Sequence, residues 1–152
     1  MAQRSDRRRV VVVAATDLPT ELVDEVIEEM AARMSGSAEA RSCVGLSFAF
    51  SVVDHPVAQA RYAVGGQGRV RLTRDDATPA TFHFSGPAQT FDLVLSGRQS
   101  AVGALLRRSI RLQGSLTHVR QLMRMMPSVH RAYNQARVGL VERHSARYDF
   151  RF

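Results

Sequence analysis

Three side chains in this sequence could carry acid–base chemistry if the fold placed them beside an apolar space: His83, Asp92 and His118. A desolvated site shifts the proton affinities of imidazole and carboxylate groups, which is how general acids and bases are tuned. His83 and Asp92 lie in segments that have the pattern of neighbouring strands, where they could face each other or simply form a surface pair. One hypothesis is therefore a small enzyme, a cyclase or isomerase without metal that acts on a hydrophobic secondary metabolite.

Other reactive groups have ordinary structural explanations. Cys43 is the single cysteine, so it cannot form an internal disulfide, and no Cys or His stands at metal-ligand spacing from it. The glycine-rich segment 65–68 is not followed by Lys-Ser/Thr or by a helix pattern, which favours a hairpin turn over a phosphate loop. The scattered histidines lack zinc-site spacing. We therefore predict no metal and no cofactor.

The composition is that of one globular domain. The chain has 152 residues, of which 45% are hydrophobic and 23% charged, and it contains no apolar run near the roughly 20 residues of a membrane-spanning helix. The apolar run at residues 10–15 follows several arginines but is shorter than the roughly 7–15 residues of a signal-peptide core. With the lone cysteine, this favours a cytoplasmic protein.

The positive charge is concentrated in the C-terminal third. The net charge is +7, all 21 basic residues are arginine, and no Asp or Glu occurs from residue 93 to residue 141. Such a block could bind nucleic acid. No aromatic residue is interleaved with the arginines from residue 99 to residue 132, and no recognition motif is present. A solvated basic face is therefore favoured and nucleic acid is an unlikely partner.

Hydrophobic spacing predicts the elements that must position these groups. A 3.6-residue period indicates a helix at residues 18–34, and alternation indicates strands at residues 44–52, 59–64, 69–74, 81–85 and 91–95. Residues 10–15 could be an edge strand or an arm packed on the body. The turn-rich spacing predicts an antiparallel meander.

The second half of the chain is organised around a glycine corner. A short helix is predicted at residues 99–106, with Val102, Leu105 and Leu106 facing inward, and Ile110 and Leu112 then alternate as a strand. After Gly114 the period changes to that of a helix, which Ser115 can cap. Pro127 is expected to interrupt this helix, and a further helix is expected at residues 128–142.

This order of elements, together with Arg108-Ser109-Ile110-Arg111-Leu112-Gln113-Gly114-Ser115-Leu116, resembles the sterol-carrier-protein family of nonspecific lipid-transfer domains. Residues 91–96 are similar to the strand that precedes this motif in the family. Arg108 or Ser109 stands where the family has its first motif glycine, and Ser115 stands where it has an acidic residue. The segment before the motif, which helps to form one end of the family's ligand tunnel, is shorter here.

The resemblance implies an α+β fold with a mainly antiparallel five- or six-stranded sheet and helices on one face, enclosing an apolar cavity. Residues 1–17 would be a basic arm, 18–126 the lipid-binding domain, and 127–152 a helical extension and tail of the same domain. The predicted lining comprises Phe48, Phe50, Phe82, Phe84, Leu93, Leu95, Leu105, Leu106, Ile110, Leu112, Leu116, Leu122, Met123 and Met126.

The function that this resemblance implies is a soluble carrier for a lipid, a fatty acyl chain or an isoprenoid or sterol-like ligand. Arg107, Arg108, Arg120 and Arg124 are expected to contact an acidic head group or an anionic membrane surface, at which the protein would be peripheral. The protein would be a monomer or a homodimer.

Overall fold

The computed structural model describes residues 10–12, 18–55, 59–74 and 80–151, with the backbone alone for residues 10–12 and 116. The strands are β1 (Val10–Val12), β2 (Ser47–Val52), β3 (Gln59–Val64), β4 (Val70–Thr73), β5 (Phe82–Gly86), β6 (Arg111–Gly114) and β7 (Tyr148–Phe150). The helices are α1 (Thr20–Met34), α2 (Ala38–Ser42), α3 (Ala88–Leu95), α4 (Ala101–Leu106) and α5 (Val119–His144).

Five strands form the main sheet in the order β4-β3-β2-β5-β6. Neighbours in this order are antiparallel except β2 and β5, which run parallel with Phe48 beside Phe82 and Phe50 beside Phe84. The α+β class is therefore confirmed, but the sheet is mixed. The predicted antiparallel meander is wrong at β5, because the chain crosses back after β4 and pairs with the opposite edge of β2.

The two faces of the sheet differ in polarity. Alternate residues place Phe48, Phe50 and Tyr62 on one face, where all three are buried. The Tyr62 hydroxyl donates to the Ile27 carbonyl of α1 at 2.8 Å, and the Phe50 ring lies 5.8 Å from the Phe91 ring of α3. The opposite face carries polar residues, including Ser51 and Ser85, which are register partners, and His83 beside Ala49. The helices cover the aromatic face, and the core lies between these layers.

Helix α1 follows its apolar stripe. Leu22, Val26, Met30 and Met34 are buried, Glu21 lies in the first turn and Arg33 in the last, as the helix dipole favours. The prediction for residues 18–34 is confirmed to within the usual uncertainty of helix ends. The short helix α2, which Ser37 caps through its hydroxyl, was not predicted.

Residues 91–95 form part of helix α3, so the strand predicted there is wrong. Phe91, Leu93 and Leu95 alternate, but the buried positions Ala88, Phe91 and Val94 are three residues apart. Asp54 stabilises the start of this helix, since its Oδ1 accepts a hydrogen bond from the Ala88 amide at 2.8 Å. The similarity of residues 91–96 to a family strand therefore has no structural basis.

Helix α5 continues through Pro127 to His144, so the predicted interruption is also wrong. The helix begins after the corner at Gly114, where φ is 152° and an added Cβ would lie 2.3 Å from the Thr81 carbonyl oxygen. Glycine is required there by this close approach. Ser115 receives a hydrogen bond from the Thr117 amide at 3.4 Å, in a 3-10 turn that precedes α5.

The C-terminal tail, in which no period was found, ends in strand β7. This strand pairs in parallel with β1 in a separate two-stranded sheet. The predicted edge strand at residues 10–15 is thus present at residues 10–12, and residues 13–15 lie outside the described residues. In the part of the chain that the structure describes, no helix is both long and apolar enough to cross a bilayer.

Candidate functional site

An apolar pocket of about 300 Å³ lies between the aromatic face of the sheet and helices α3, α4 and α5; we call it the large pocket. The Tyr62 hydroxyl is the polar exception among its side chains, and its proton is already donated to Ile27. The lining consists of Met30, Phe48, Phe50, Tyr62, Phe84, Phe91, Val94, Leu95, Ala101, Val102, Leu105, Leu106, Ile110, Leu112, Val119, Leu122, Met123, Met126 and Val129. Such a surface can bind apolar groups but has no group suited to acid–base chemistry.

The large pocket has an exposed apolar rim. Val102 and Leu106 of α4 are 47% and 79% exposed, and Met123 of α5 is 47% exposed. These side chains belong to the pocket lining and are also in contact with solvent. Helix α4 was predicted to turn Val102 and Leu106 inward. They do border the pocket, but no described element covers them on the other side.

Four exposed arginines lie in the segments that form this rim: Arg107 and Arg108 after α4, and Arg120 and Arg124 in α5. None of them has a salt-bridge partner among the described residues. Arginines elsewhere in the same acid-free block do have such partners, since Arg131 pairs with Glu39 at 2.7 Å. The segments around the rim therefore carry positive charge that the described part of the chain does not neutralise.

A second pocket of about 80 Å³, which we call the small pocket, lies between α1, β2, α3 and α5. It shares Met30, Phe50, Phe91 and Leu95 with the large pocket, so these side chains separate the two spaces. Its remaining wall is mostly apolar but includes His55, Asp92, Tyr133 and Arg137. The two pockets form adjoining spaces of different polarity.

The carboxylate of Asp92 is the centre of a polar network beside the small pocket. It accepts hydrogen bonds from the Tyr133 hydroxyl and from Arg98, and Arg137 Nε lies 3.8 Å away. Burial, and then the negative charge of Asp92, raise the pKa of Tyr133 far above its ordinary value. Tyr133 therefore remains a hydrogen-bond donor, and the network fastens α3 to α5.

His55 is a further polar residue in the wall of the small pocket. Its Nε2 lies 3.0 Å from the carbonyl oxygen of Leu18. A carbonyl can only accept, so Nε2 carries the proton and, in the neutral ring, Nδ1 is an acceptor. Nδ1 is buried and has no hydrogen-bond partner within the described residues.

The structure brings most of the predicted ligand-binding residues to the large pocket. They are Phe48, Phe50, Phe84, Leu95, Leu105, Leu106, Ile110, Leu112, Leu122, Met123 and Met126. Phe82 is fully buried but does not line this pocket. Leu93 does not line it either, because it lies on a different face of α3 from Phe91 and Val94. The side chain of Leu116 is outside the described residues.

The three candidate catalytic residues are not brought together. His83 lies on the outer face of the sheet, where its Nε2 is 3.0 Å from the Ser51 hydroxyl. Asp92 is in α3 rather than on a neighbouring strand, and His118 is exposed before the first residue of α5. Among the described residues, no group of three or more His, Cys, Asp or Glu side chains could hold a metal ion.

The sequence patterns did not identify the polar wall of the small pocket. His55 lies beyond the strand predicted at residues 44–52, and Tyr133 was covered only by the helix predicted at residues 128–142. The intervals between these residues in the sequence have no period, because the wall is assembled from separate elements. Met30 could have been found, since it lies on the buried apolar stripe of α1.

Solved structures with this fold are sterol-carrier-like. The sterol carrier protein domain 2 of Helicoverpa armigera has a TM-score of 0.57 and 16% identity, over 72% of this chain and 88% of that one. A UbiJ-SCP2 ubiquinone synthesis protein has a TM-score of 0.54 and 15% identity, over 76% of this chain and 95% of its own. A conserved hypothetical protein of Thermus thermophilus, described as possibly a sterol carrier protein, has a TM-score of 0.54 and 14% identity, over 81% and 92%.

The α+β class expected from the sequence resemblance is therefore confirmed, with a mixed sheet. No family model matches the chain, and no curated protein matches its sequence.

Proposed function

We propose that this protein is a carrier that binds a hydrophobic ligand in the large pocket. The observation that carries the proposal is an apolar pocket of about 300 Å³ whose rim leaves large hydrophobic side chains exposed. This volume is at the lower end of the roughly 300–1,000 Å³ typical of ligand pockets. The fold shared with sterol carrier proteins supports a lipid, fatty acyl, isoprenoid or sterol-like ligand.

The expected affinity follows from the apolar area. Burying roughly 300 Å² of ligand surface stabilises the complex by about 7 kcal/mol at ~25 cal/mol/Å². Immobilising a flexible ligand opposes this gain, so a dissociation constant on the order of tens of micromolar or weaker is expected. A carrier requires such moderate affinity because it must also release its ligand.

The rim of the pocket is suited to an anionic membrane surface. Leu106 and Met123 can enter the headgroup region, while Arg107, Arg108, Arg120 and Arg124 attract acidic lipids. Contact at the rim would give the ligand a path between bilayer and pocket that avoids water. This placement accounts for apolar and basic side chains that occur side by side without partners among the described residues.

Filling the large pocket tests the proposal. Leu105→Trp places a larger ring on the pocket side of α4, so the protein should bind a fluorescent polyene fatty acid at least tenfold more weakly than the unmodified protein. Direct titration measures this loss, and native mass spectrometry of protein equilibrated with the same probe gives the stoichiometry.

Val53→Trp is the matched control, because Val53 is 70% exposed and lies outside both pockets. It should leave the affinity unchanged. The carrier proposal fails if the unmodified protein binds no apolar probe, or if Leu105→Trp and Val53→Trp bind it equally well.

A further inference from the structure

The small pocket differs from the large one in having a buried acceptor that no described residue pairs with. His55 Nε2 is committed to the Leu18 carbonyl, which leaves the lone pair of Nδ1 directed at a position where no described residue donates a hydrogen bond. Buried polar atoms are nearly always paired, so an unpaired one requires an explanation. A bound donor is such an explanation.

The other polar groups of the small pocket do not supply that donor. Tyr133 donates to Asp92, and the second oxygen of Asp92 accepts from Arg98. Arg137 lies against the same carboxylate, and its guanidinium carbon is 5.6 Å from the centre of the Tyr133 ring. These groups stabilise one another and are not paired with His55.

The small pocket also shares a wall of side chains with the large one. Met30, Phe50, Phe91 and Leu95 contact both spaces, and methionine and leucine side chains can rotate to admit a slender group. The volume of about 80 Å³ accommodates on the order of two or three non-hydrogen atoms at the ~30 Å³ that one water occupies in the liquid. It is too small for a second ligand but large enough for the end of one.

We propose that the small pocket binds the polar end of the ligand and that His55 Nδ1 accepts a hydrogen bond from it. This inference rests on the proposed carrier function and narrows the ligand class. The ligand is a slender lipophilic molecule with a terminal hydroxyl or another uncharged O–H or N–H donor. Its apolar part fills the large pocket, and its donor passes between Met30 and Phe91.

Two isomeric probes separate this anchor from general apolar binding. Dodecanol carries a terminal O–H donor, whereas methyl undecyl ether has the same atoms and no donor. The unmodified protein should bind dodecanol about tenfold more tightly than the ether, as expected for one buried hydrogen bond and the acceptor left unpaired without it. Displacement of the fluorescent fatty acid measures both affinities.

Two substitutions of His55 test the roles of its two ring nitrogens separately. In His55→Gln the amide nitrogen can take the place of Nε2 beside Leu18 but no acceptor remains at Nδ1, so the preference for dodecanol should disappear. In His55→Asn the amide oxygen can take the place of Nδ1, so most of the preference should remain. His83→Gln, on the outer face of the sheet, is the control and should preserve the preference in full. Each ratio is taken within one variant, so changes in stability cancel.

The results distinguish the anchor from the carrier. If the unmodified protein binds both probes with equal affinity, or if His55→Gln keeps the preference, the anchor is overturned while the carrier function stands. If neither probe displaces the bound fluorescent fatty acid, the anchor is overturned as well, and the carrier function fails only if the fluorescent fatty acid itself does not bind.

Discussion

Helix α5 has two apolar faces that differ in what covers them. The docked face contains Met125, Ser128, Ala132 and Ala136, and the pocket face contains Val119, Leu122, Met123 and Met126. The residues of the docked face are at most 2% exposed, whereas Met123 is 47% exposed. Both faces have apolar helical spacing, so the sequence pattern alone assigns both to a core.

Polar contacts at the docked face explain this difference. The Ser128 hydroxyl lies 3.0 Å from the Ser37 hydroxyl that caps α2, and the Cys43 thiol donates to the Gln121 carbonyl at 3.3 Å. Arg143 binds Glu25 and Glu29 of α1 at 2.6 and 2.8 Å. These bonds fix α5 against α1 and α2, so a pocket can remain open on the other face without loss of the fold.

Two methionines only two residues apart, and therefore on opposite sides of α5, give the sharpest test of this contrast. Met125→Ala removes a side chain that is fully buried, so it should lower the free energy of unfolding by about 2–5 kcal/mol. Met123→Ala should lower it by less than about 1 kcal/mol, because the side chain already faces an open space. Urea denaturation followed by circular dichroism measures both changes.

Ligand binding should show the reverse order. Met123→Ala removes part of the pocket wall and should weaken binding of the fluorescent fatty acid about fivefold, which corresponds to roughly 1 kcal/mol of lost apolar contact. Met125→Ala, studied well below its unfolding midpoint, should bind the probe normally. Equal losses of stability in the two variants would mean that the faces are not distinct.

Pro127 lies where the pocket face gives way to the docked part of the helix. It is exposed, and it has no amide hydrogen to donate to the Met123 carbonyl. Pro127→Ala restores that donor, so it should raise the free energy of unfolding by about 1–2 kcal/mol; the larger chain entropy of alanine in the unfolded state limits the gain.

Thermal and urea unfolding check the effect of this proline. Glu142→Ala, at another exposed position of α5, is the control and should change stability by less than about 0.5 kcal/mol. A loss of stability in Pro127→Ala would show instead that the helix needs the proline for its fit to the sheet.

The spacing of residues in the sequence was sufficient to predict α1, the strands β3 and β4, and the glycine corner, since each of these is specified by neighbouring residues. It was insufficient for α3, because a five-residue run from Phe91 to Leu95 fits both periods and the deciding cap comes from Asp54. It was also insufficient at Pro127, where the tertiary contacts of α5 outweigh the local preference. The parallel pairing of β2 and β5 is set by a crossover that no local pattern encodes.

The candidate site likewise has a part that could be predicted from the sequence and a part that could not. The apolar wall of the large pocket follows from strand and helix periods, so residues such as Phe84 and Leu122 could be predicted. The small pocket could not, because His55, Asp92 and Tyr133 come from three elements that only the tertiary fold brings near one another. Exposure of Leu106 was also not predictable, since an apolar residue in a short helix ordinarily faces the core.

The arginines at the two ends of α5 should have different roles. Arg143 should stabilise the fold, through Glu25 and Glu29, and Arg124 should contribute to membrane binding. Burial acts to raise the pKa of Glu25, but hydrogen bonds from His144 and Arg143 outweigh this effect and hold the pKa below its ordinary value of 4.5. Burial also acts to raise the pKa of Glu29, but hydrogen bonds from Arg33 and Arg143 outweigh this effect and lower it. Because these pKa values are lower in the folded state, their contribution to stability is present above pH 4.5 and is lost as the pH falls through the folded values.

Arg143→Gln should therefore lower the free energy of unfolding at neutral pH by about 0.5–1 kcal/mol, as expected for partly exposed ion pairs. The difference from the unmodified protein should shrink at acidic pH, as the pH falls below 4.5 through the lowered pKa values of the carboxylates. Urea denaturation at neutral and at acidic pH measures this convergence. A difference that is the same at both would exclude the ion pairs as its cause.

Arg124→Gln is the matched substitution at the pocket end of the same helix. It should leave the free energy of unfolding unchanged, because Arg124 is exposed and has no ion-pair partner among the described residues. It should weaken sedimentation with phosphatidylglycerol vesicles about fivefold, since one arginine near an anionic surface contributes about 1 kcal/mol. Arg143→Gln should bind the vesicles as the unmodified protein does. If both substitutions weaken vesicle binding equally, the attraction is a property of net charge, and the rim of the large pocket is not the surface that meets the membrane.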